Sequence, residues 1–197
     1  MKTKSLLKKH ILTSLSNCEW FVSSQALLYS ITNSDSYNQN LVLSTKKIGS
    51  ACGELVRKGK LIKKVLLSGV ALYILTGVWL KKTADDIKEK IPFDFPEVKV
   101  KIVKRKKDNI LEGQTRIEKR HEKLTITITI YVSYNLFARK NIYQAIRMVL
   151  IHEFSHVISP FHPDEVMKAY FPEVFKVWKK VEELEGLKCS AEIKEIK

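Results

Sequence analysis

The segment LTITITIYV, residues 124–132, alternates threonine with isoleucine. Successive side chains of a β-strand point to opposite faces of a sheet, so an alternation with a period of two predicts a strand with one buried and one polar face. Residues 98–103 alternate in the same way and predict a second strand. The C-terminal half is therefore expected to contain a sheet, in which residues 125–131 lie either at an edge or in the interior.

Helical signals surround these strands. Asn141 is an N-cap that opens a helix, and this helix is predicted to end near Ile158 because Pro160 lacks an N–H and disfavours helical geometry in the residue before it. Two further helices are predicted over residues 163–170 and 173–184. We therefore expect an α+β fold, with one domain over residues 96–197 that contains a small mixed sheet and a long helix.

The N-terminal part shows short helices followed by a hairpin. Residues 4–15 have apolar side chains at helical spacing, and serine caps predict two more helices, the last of which ends at Gly59. Two strands are then predicted around the turn Ser68-Gly69. This order of elements resembles the winged helix-turn-helix family, which implies a winged-helix domain over residues 1–77.

The same segment carries the denser positive charge. The chain has 35 Lys and Arg against 21 Asp and Glu, a formal net charge of +14, and residues 1–77 hold 11 of the basic and 3 of the acidic residues. A basic surface favours polyanions such as nucleic acid, although a solvated lysine-rich surface or a protein-binding module is the alternative. In a winged helix the third helix enters the major groove and basic side chains contact phosphates, so the resemblance implies DNA contacts from Lys46, Lys47, Arg57, Lys58, Lys60, Lys63 and Lys64.

An apolar run, VLLSGVALYILTGVWL, covers residues 65–80. As one helix it would span about 24 Å, which is less than the roughly 30 Å of a bilayer core. It also contains two glycines, so a wing strand and the start of a further helix are expected in place of a membrane span. Residues 78–95 are predicted to form that linking helix and a linker, with a boundary marked by Pro92 and Pro96.

The three cysteines, Cys18, Cys52 and Cys189, are widely separated along the chain. Their odd number and spacing form neither a disulfide framework nor a metal knuckle, which favours a reducing compartment. No secretory leader is recognisable at the start of the sequence. We therefore expect a cytoplasmic protein with no membrane partner.

The stretch HEFSHVISPFH, residues 152–162, places three histidines and a glutamate close together. Residues i and i+4 of a helix share a face, so His152 and His156 can bind one metal ion. Glu153 can then reach a water on an open coordination position and act as general base. This is the H-E-x-x-H signature, and its imidazole ligands favour Zn²⁺. The stretch resembles the zincin metallopeptidases.

A third ligand must come from beyond the helix, and His162 follows the motif closely. The whole stretch resembles the long motif of metzincins, with Ser159 in place of their glycine, and the WLM and SprT-like groups of DNA-associated metalloproteases. The resemblance implies a catalytic base, Glu153, and three zinc ligands, His152, His156 and His162.

We therefore expect a zinc metalloendopeptidase that acts on protein or peptide substrates and is brought to DNA by its N-terminal module. Zincins align peptides along an edge strand, which makes residues 125–131 a candidate for that strand. An acid, Glu165 or Glu173, is the alternative third ligand in a gluzincin-type site. The alternative function is a DNA-binding transcriptional regulator whose zinc is structural or sensory, with every metal position filled by protein.

Overall fold

The structure is a computed structural model of the chain. It describes residues 2–34, 42–105, 111–120, 123–133, 136, 142–185 and 188–196. These residues form seven helices and seven strands, and the strands make one three-stranded and one four-stranded sheet. The fold is a mixed α and β fold compatible with the predicted α+β class.

The chain divides into two compact units. The first comprises Met1–Trp79 with Phe137–Tyr143, and the second comprises Leu80–Leu136 with Gln144–Lys197. The predicted first domain, residues 1–77, lies within the first segment of the first unit.

The first unit consists of three helices and a small antiparallel sheet. In chain order its elements are α1 (Lys2–Ser16), β1 (Val22–Ser23), α2 (Ser24–Thr32), α3 (Thr45–Arg57), β2 (Leu61–Val65) and β3 (Ala71–Leu75). The strand order is β1-β3-β2, and both pairs are antiparallel. The helix α4 (Thr76–Lys90) begins immediately after β3.

Local capping explains where α2 and α3 begin. The Ser23 hydroxyl accepts a hydrogen bond from the Ala26 N–H at 3.2 Å, and the Ser44 hydroxyl accepts one from the Lys47 N–H at 3.3 Å. Both serines satisfy an N–H group that a helix start leaves without an intrahelical partner. The two serine caps predicted from the sequence are confirmed.

The helices of this unit pack their apolar faces into one core. Lys8 of α1 and Glu54 of α3 form an ion pair at its margin. Burial raises the pKa of the Cys52 thiol to about 12, so this cysteine is an inert core residue. The buried members of the core are Leu7, Ile11, Leu15, Leu27, Ile31, Ile48, Ala51, Cys52, Leu55, Val56, Leu61 and Tyr73.

The apolar run of residues 65–80 does not form one helix. It supplies the end of β2, all of β3 and the first turn of α4. Its turn differs by one residue from the prediction, because the Gly69 N–H donates to the Leu66 carbonyl at 2.9 Å and thereby centres the turn on Leu67 and Ser68. None of the helices in the described ranges has the length and apolar character that a bilayer crossing requires.

The second unit combines a four-stranded mixed sheet with three further helices. Its elements are β4 (Val98–Arg105), β5 (Leu111–Arg120), β6 (Lys123–Ser133), α5 (Ile142–Ile158), α6 (Pro163–Tyr170), α7 (Pro172–Glu185) and β7 (Lys188–Ile196). The strand order is β4-β6-β5-β7. Strand β6 is parallel to β4 and antiparallel to β5, and β5 is parallel to β7.

The alternating segment behaves as its pattern predicts but lies in the sheet interior. Ile126, Ile128, Ile130 and Val132 of β6 are buried, whereas Tyr131 on the other face is partly exposed. Because β6 is paired on both sides, the interior alternative holds, and residues 125–131 are not the edge strand considered for aligning a peptide. Thr129 is buried as well, so the threonine face is also partly covered.

Two strands of this sheet were not predicted from the sequence. Strand β5 has the sequence LEGQTRIEKR, whose charged residues and glycine are unfavourable strand signals. Strand β7 lies at the chain's C-terminal end and pairs with β5 over its whole length. The predicted N-cap Asn141 lies outside the described residues.

Candidate metal centre

Helix α5 buries a run of consecutive residues, 149–156, on every side. Its end at Ile158 agrees with the prediction from Pro160. A helix that is buried all round has no solvated face, so its polar side chains need partners inside the protein or in a bound ligand. Ser155 meets this need within the helix, because its hydroxyl donates to the Ile151 carbonyl at 2.8 Å. The other polar members of the run are His152, Glu153 and His156.

These three residues converge on one point. His152 is 5% exposed, His156 is 8% exposed and Glu153 is fully buried. One potential ligand atom from each lies within 4.8 Å of the others, and the two imidazole rings are 4.7 Å apart between centroids. The spacing of four residues along α5 therefore brings the two histidines together as the sequence predicts.

The ring of His156 is oriented by the backbone beyond the helix. Its Nδ1 lies 2.9 Å from the carbonyl oxygen of Pro160. A carbonyl can only accept a hydrogen bond, so Nδ1 carries the proton and the lone pair is on Nε2. That Nε2 is buried and has no hydrogen-bond partner among the described residues. A histidine held through one nitrogen by a carbonyl, with the other nitrogen open, has the usual arrangement of a metal ligand.

His152 is oriented by stacking. Its ring lies parallel to the indole of Trp178 in α7, with 4.5 Å between centroids and 22° between the planes. Trp178 is fully buried, so this ring position is set by close packing. The buried Nδ1 of His152 likewise meets no hydrogen-bond partner in the described part of the chain.

Glu153 is held against strand β5. The Thr115 hydroxyl is 2.7 Å from Oε2 of Glu153 and 2.9 Å from the Glu153 carbonyl oxygen, so its single proton lies between two acceptors. A Cβ built on Gly113 would lie 2.2 Å from Oε1 of Glu153. Only glycine at that position lets the strand backbone approach the carboxylate so closely. Thr115 and Gly113 had no signal in the sequence, because they lie far from the motif on an unpredicted strand.

The electrostatics of the site suit a bound cation. Burial lowers the pKa of His152 to about 4, with a further contribution from His156, and burial also lowers the pKa of His156. Both rings are therefore neutral near pH 7, which is the state that binds metal ions. A carboxylate removed from water is costly unless a positive charge compensates it, and a divalent cation beside Glu153 would supply that charge.

The donor set fits a metal ion in distance as well as in chemistry. Two ligands of a tetrahedral zinc ion at about 2.1 Å lie roughly 3.4 Å apart. The potential ligand atoms of the three residues lie within 4.8 Å of one another, which is near that separation. The buried group of His152, Glu153 and His156 can therefore hold a metal ion.

The predicted third ligand, His162, is not part of this group. It is exposed, and it occupies the N-cap position of α6, where its side chain makes no capping hydrogen bond. The alternative acids are also outside the group, since Glu165 is exposed and Glu173 pairs with Lys176 at 3.0 Å. Among the described residues the structure thus brings together His152, Glu153 and His156, and it leaves the third ligand a prediction.

A polar pocket of about 210 Å³ lies on the opposite face of the second sheet. Its lining includes Gln114 and Arg116 of β5, which alternate with Gly113 and Thr115. Successive residues of a strand face opposite sides, so this pocket does not open on the histidines. The concavity is therefore separate from the candidate metal centre.

The predicted DNA-contacting residues lie on the first unit. Lys46, Lys47 and Arg57 belong to α3, Lys58 caps it, and Lys60, Lys63 and Lys64 lie at or in β2. All seven are exposed or partly exposed. The Lys47 ammonium donates to the Val42 carbonyl at 2.7 Å, and the Lys64 ammonium lies 5.9 Å from the centre of the Phe21 ring.

We expect Gly113→Ala to displace the Glu153 carboxylate, because the new methyl group would occupy its position. Overpacking of this kind costs about 1–3 kcal/mol, and the metal affinity should fall with it. Denaturant unfolding and metal titration check both effects. Gly53→Ala in α3 is the control, since nothing lies within 4 Å of its Cβ. Wild-type metal affinity in Gly113→Ala would show that the carboxylate position is unimportant.

We expect the metal-free protein to lose stability in acid. His152 has a pKa of about 4 in the folded chain, against the ordinary histidine value of 6.5. The neutral form of His152 contributes fully to the free energy of unfolding above pH 6.5, and this contribution disappears as the pH falls towards 4. The free energy of unfolding should drop by about 2 kcal/mol between about pH 7 and about pH 5. His152→Gln should reduce this drop, and an undiminished drop in His152→Gln would contradict the assignment.

No protein-family model matches the chain, and no curated protein matches it. The resemblances to winged-helix proteins and to zincins therefore stay expectations from the sequence. The observation that bears on function is the buried group of His152, Glu153 and His156, whose geometry can hold a metal ion.

Proposed function

We propose that this chain is a zinc-dependent metalloendopeptidase that hydrolyses peptide bonds of protein substrates. The observation that carries the proposal is the buried group of His152, Glu153 and His156, in which both histidines have a ring nitrogen without a hydrogen-bond partner in the described ranges. Zinc suits imidazole ligands and needs no redox chemistry.

Each residue of the group has a separate role in this proposal. His152 and His156 hold the ion, and the Pro160 carbonyl keeps the His156 tautomer that leaves Nε2 available. Zinc, when bound, supplies a Lewis acid that polarises the substrate carbonyl and lowers the pKa of a water molecule. Glu153 accepts the proton of the attacking water and returns it to the leaving amine. Thr115 orients the Glu153 carboxylate by donating to Oε2.

We also propose that the first unit is a winged-helix module that brings the peptidase to DNA. The order α1-β1-α2-α3-β2-β3 with an antiparallel three-stranded sheet supports it. In such a module α3 enters the major groove and lysines of α3 and β2 contact phosphates. Tethering would raise the local concentration of protein substrates that are already on DNA.

One observation favours the alternative of a DNA-binding regulator with a structural or sensory zinc ion. All three residues of the group are at most 8% exposed, and a structural site is closed by protein ligands. In that case Glu153 is itself a ligand, and a further protein side chain must fill the fourth position.

We expect Glu153→Gln to keep zinc and to lose hydrolysis. The amide cannot accept a proton, and a general base contributes about 100-fold or more to the rate. Zinc content by mass spectrometry and cleavage of an unfolded protein substrate, with and without duplex DNA, are measured on the same preparations. Glu165→Gln on α6 is the control, because its side chain is exposed and outside the group.

The same variant separates the two functions. If Glu153 is a structural ligand, Glu153→Gln loses zinc, and the zinc-loaded wild type cleaves no substrate. That pair of results would overturn the peptidase proposal and support the regulator.

We expect charge reversal on the first unit to abolish DNA binding. Replacing Lys46, Lys47, Lys63 and Lys64 by glutamate removes phosphate contacts, so binding to duplex DNA should fall and its salt dependence should flatten. Fluorescence anisotropy at several salt concentrations measures both.

A matched variant tests whether the loss of DNA binding comes from the change in net charge alone. Lys99, Lys101, Lys168 and Lys180 are exposed lysines of the second unit, and their replacement by glutamate changes the charge equally. We expect this variant to keep most of its DNA affinity, and both variants to keep their zinc. Equal losses in the two variants would contradict an interface on α3 and β2.

A further inference from the structure

The polar pocket on the second sheet is a trough along strand β6. Its floor is formed by Thr127 and Thr129, whose short side chains lie on the face opposite the buried isoleucines of this strand. Longer side chains of β4 and β5 stand on either side, and Tyr131 and Glu118 line its two ends. Its volume of about 210 Å³ is below the roughly 300–1,000 Å³ of pockets for drug-sized ligands. The trough therefore has room for a small polar molecule.

One row of hydrogen-bond donors crosses this trough. Lys101 of β4 is paired in register with Thr129 of β6, and Thr129 is paired in register with Gln114 of β5. All three side chains line the trough. Neighbouring strands of a sheet are about 4.8 Å apart, so an ammonium, a hydroxyl and an amide group can all reach one ligand that lies over β6.

The amide of Gln114 is held in one orientation. The Tyr131 hydroxyl donates to its Oε1 at 3.0 Å, so the amide nitrogen is the end that is left to donate to a ligand. Tyr131 is itself held in place, because the Arg105 guanidinium lies 3.9 Å from the centre of its ring. Arg105 in turn donates to Glu112 at 3.0 Å. A donor that is ordered before binding loses little conformational entropy when the ligand arrives.

Thr129 is a buried polar residue at the floor of the trough. It is 5% exposed, and its hydroxyl makes no hydrogen bond to another residue in the described part of the chain. Buried polar groups of proteins are normally hydrogen-bonded. A ligand in the trough would give this hydroxyl its partner.

The charged side chains around the trough favour a negatively charged ligand. Lys101 is exposed on one side, and Arg116 and Glu118 line the other side. Arg116 and Glu118 form an ion pair at 3.8 Å, so their charges offset each other. Glu118 is opposite Thr125, which is four residues from Thr129 along β6. The row of donors therefore has the uncompensated charge of Lys101 and lies away from the carboxylate.

We propose that this trough binds the phosphate group of a small phosphorylated molecule. Lys101, Thr129 and Gln114 donate to the phosphate oxygens, and the ammonium of Lys101 attracts the negative charge of the group. Tyr131 and Glu118 close the trough along β6, which favours a free molecule over a nucleic-acid strand. Because the trough lies on the face of the sheet away from Glu153, this inference does not rest on the proposed function.

Calorimetric titration of the whole chain with inorganic phosphate, at constant ionic strength and without added zinc, tests the site. Lys101→Met should weaken phosphate binding about tenfold or more, because a hydrogen bond from a charged group is lost. Thr129→Val keeps the shape of the side chain and removes its hydroxyl, so it should weaken binding by a smaller factor.

Two matched controls lie on the same sheet face. Lys99 of β4 and Thr125 of β6 are each on the same strand as the residue they match but outside the lining of the trough. Lys99→Met and Thr125→Val should therefore bind phosphate as the wild type does. Circular dichroism checks that each variant is folded, and the exposed position of Lys101 lets Lys101→Met decide the test if Thr129→Val folds poorly.

Weaker binding in Lys101→Met, with wild-type binding in Lys99→Met, supports the phosphate site. Absence of phosphate binding in the wild type, or an equal loss in Lys99→Met and Lys101→Met, overturns it. Competition with a single-stranded oligonucleotide tests the source of the phosphate group. Displacement of inorganic phosphate from the wild type by the oligonucleotide would overturn the assignment to a small molecule.

Discussion

Burial of a carboxylate between α5 and β5 is the constraint on which the candidate site depends. Glu153 is fully buried, and it can be there because Gly113 has no side chain and Thr115 offers a hydroxyl. A charged group removed from water needs compensation, and two neutral imidazoles with open nitrogens stand beside it. A cation between them satisfies all three side chains at once. A bound metal ion would therefore explain why these three polar residues lie inside an otherwise apolar part of the helix.

Two segments that follow α5 in the chain orient the histidine rings of the candidate centre. The turn after α5 contributes the Pro160 carbonyl that fixes the His156 tautomer, and α7 contributes the Trp178 ring that fixes His152. The orientation of His152 therefore depends on the packing of α7, and substitutions there should act on metal binding without touching the motif.

The local parts of the fold were predictable because their signals are local. The serine caps, the alternation of β6 and the end of α5 before Pro160 each follow from neighbouring residues. Strand β5 was missed because its pattern is charged, and β6 was assigned to an edge or the interior without a decision. Pairing partners lie far apart in sequence, so neither the strand order nor the close approach of Gly113 to Glu153 can be inferred from spacing.

The sequence by itself determined that two histidines and a glutamate share one stretch of helix, because i and i+4 side chains lie together on any helix. It also determined the excess of positive charge in the first 77 residues. Only the tertiary structure decided which of the remaining polar residues approach the histidines. Exposed His162 follows the motif in sequence but lies outside the buried group, whereas Thr115 of a distant strand donates to Glu153. The physical reason is that packing and burial determine which residues of different helices and strands lie close together. The spacing of residues along the chain does not specify these contacts.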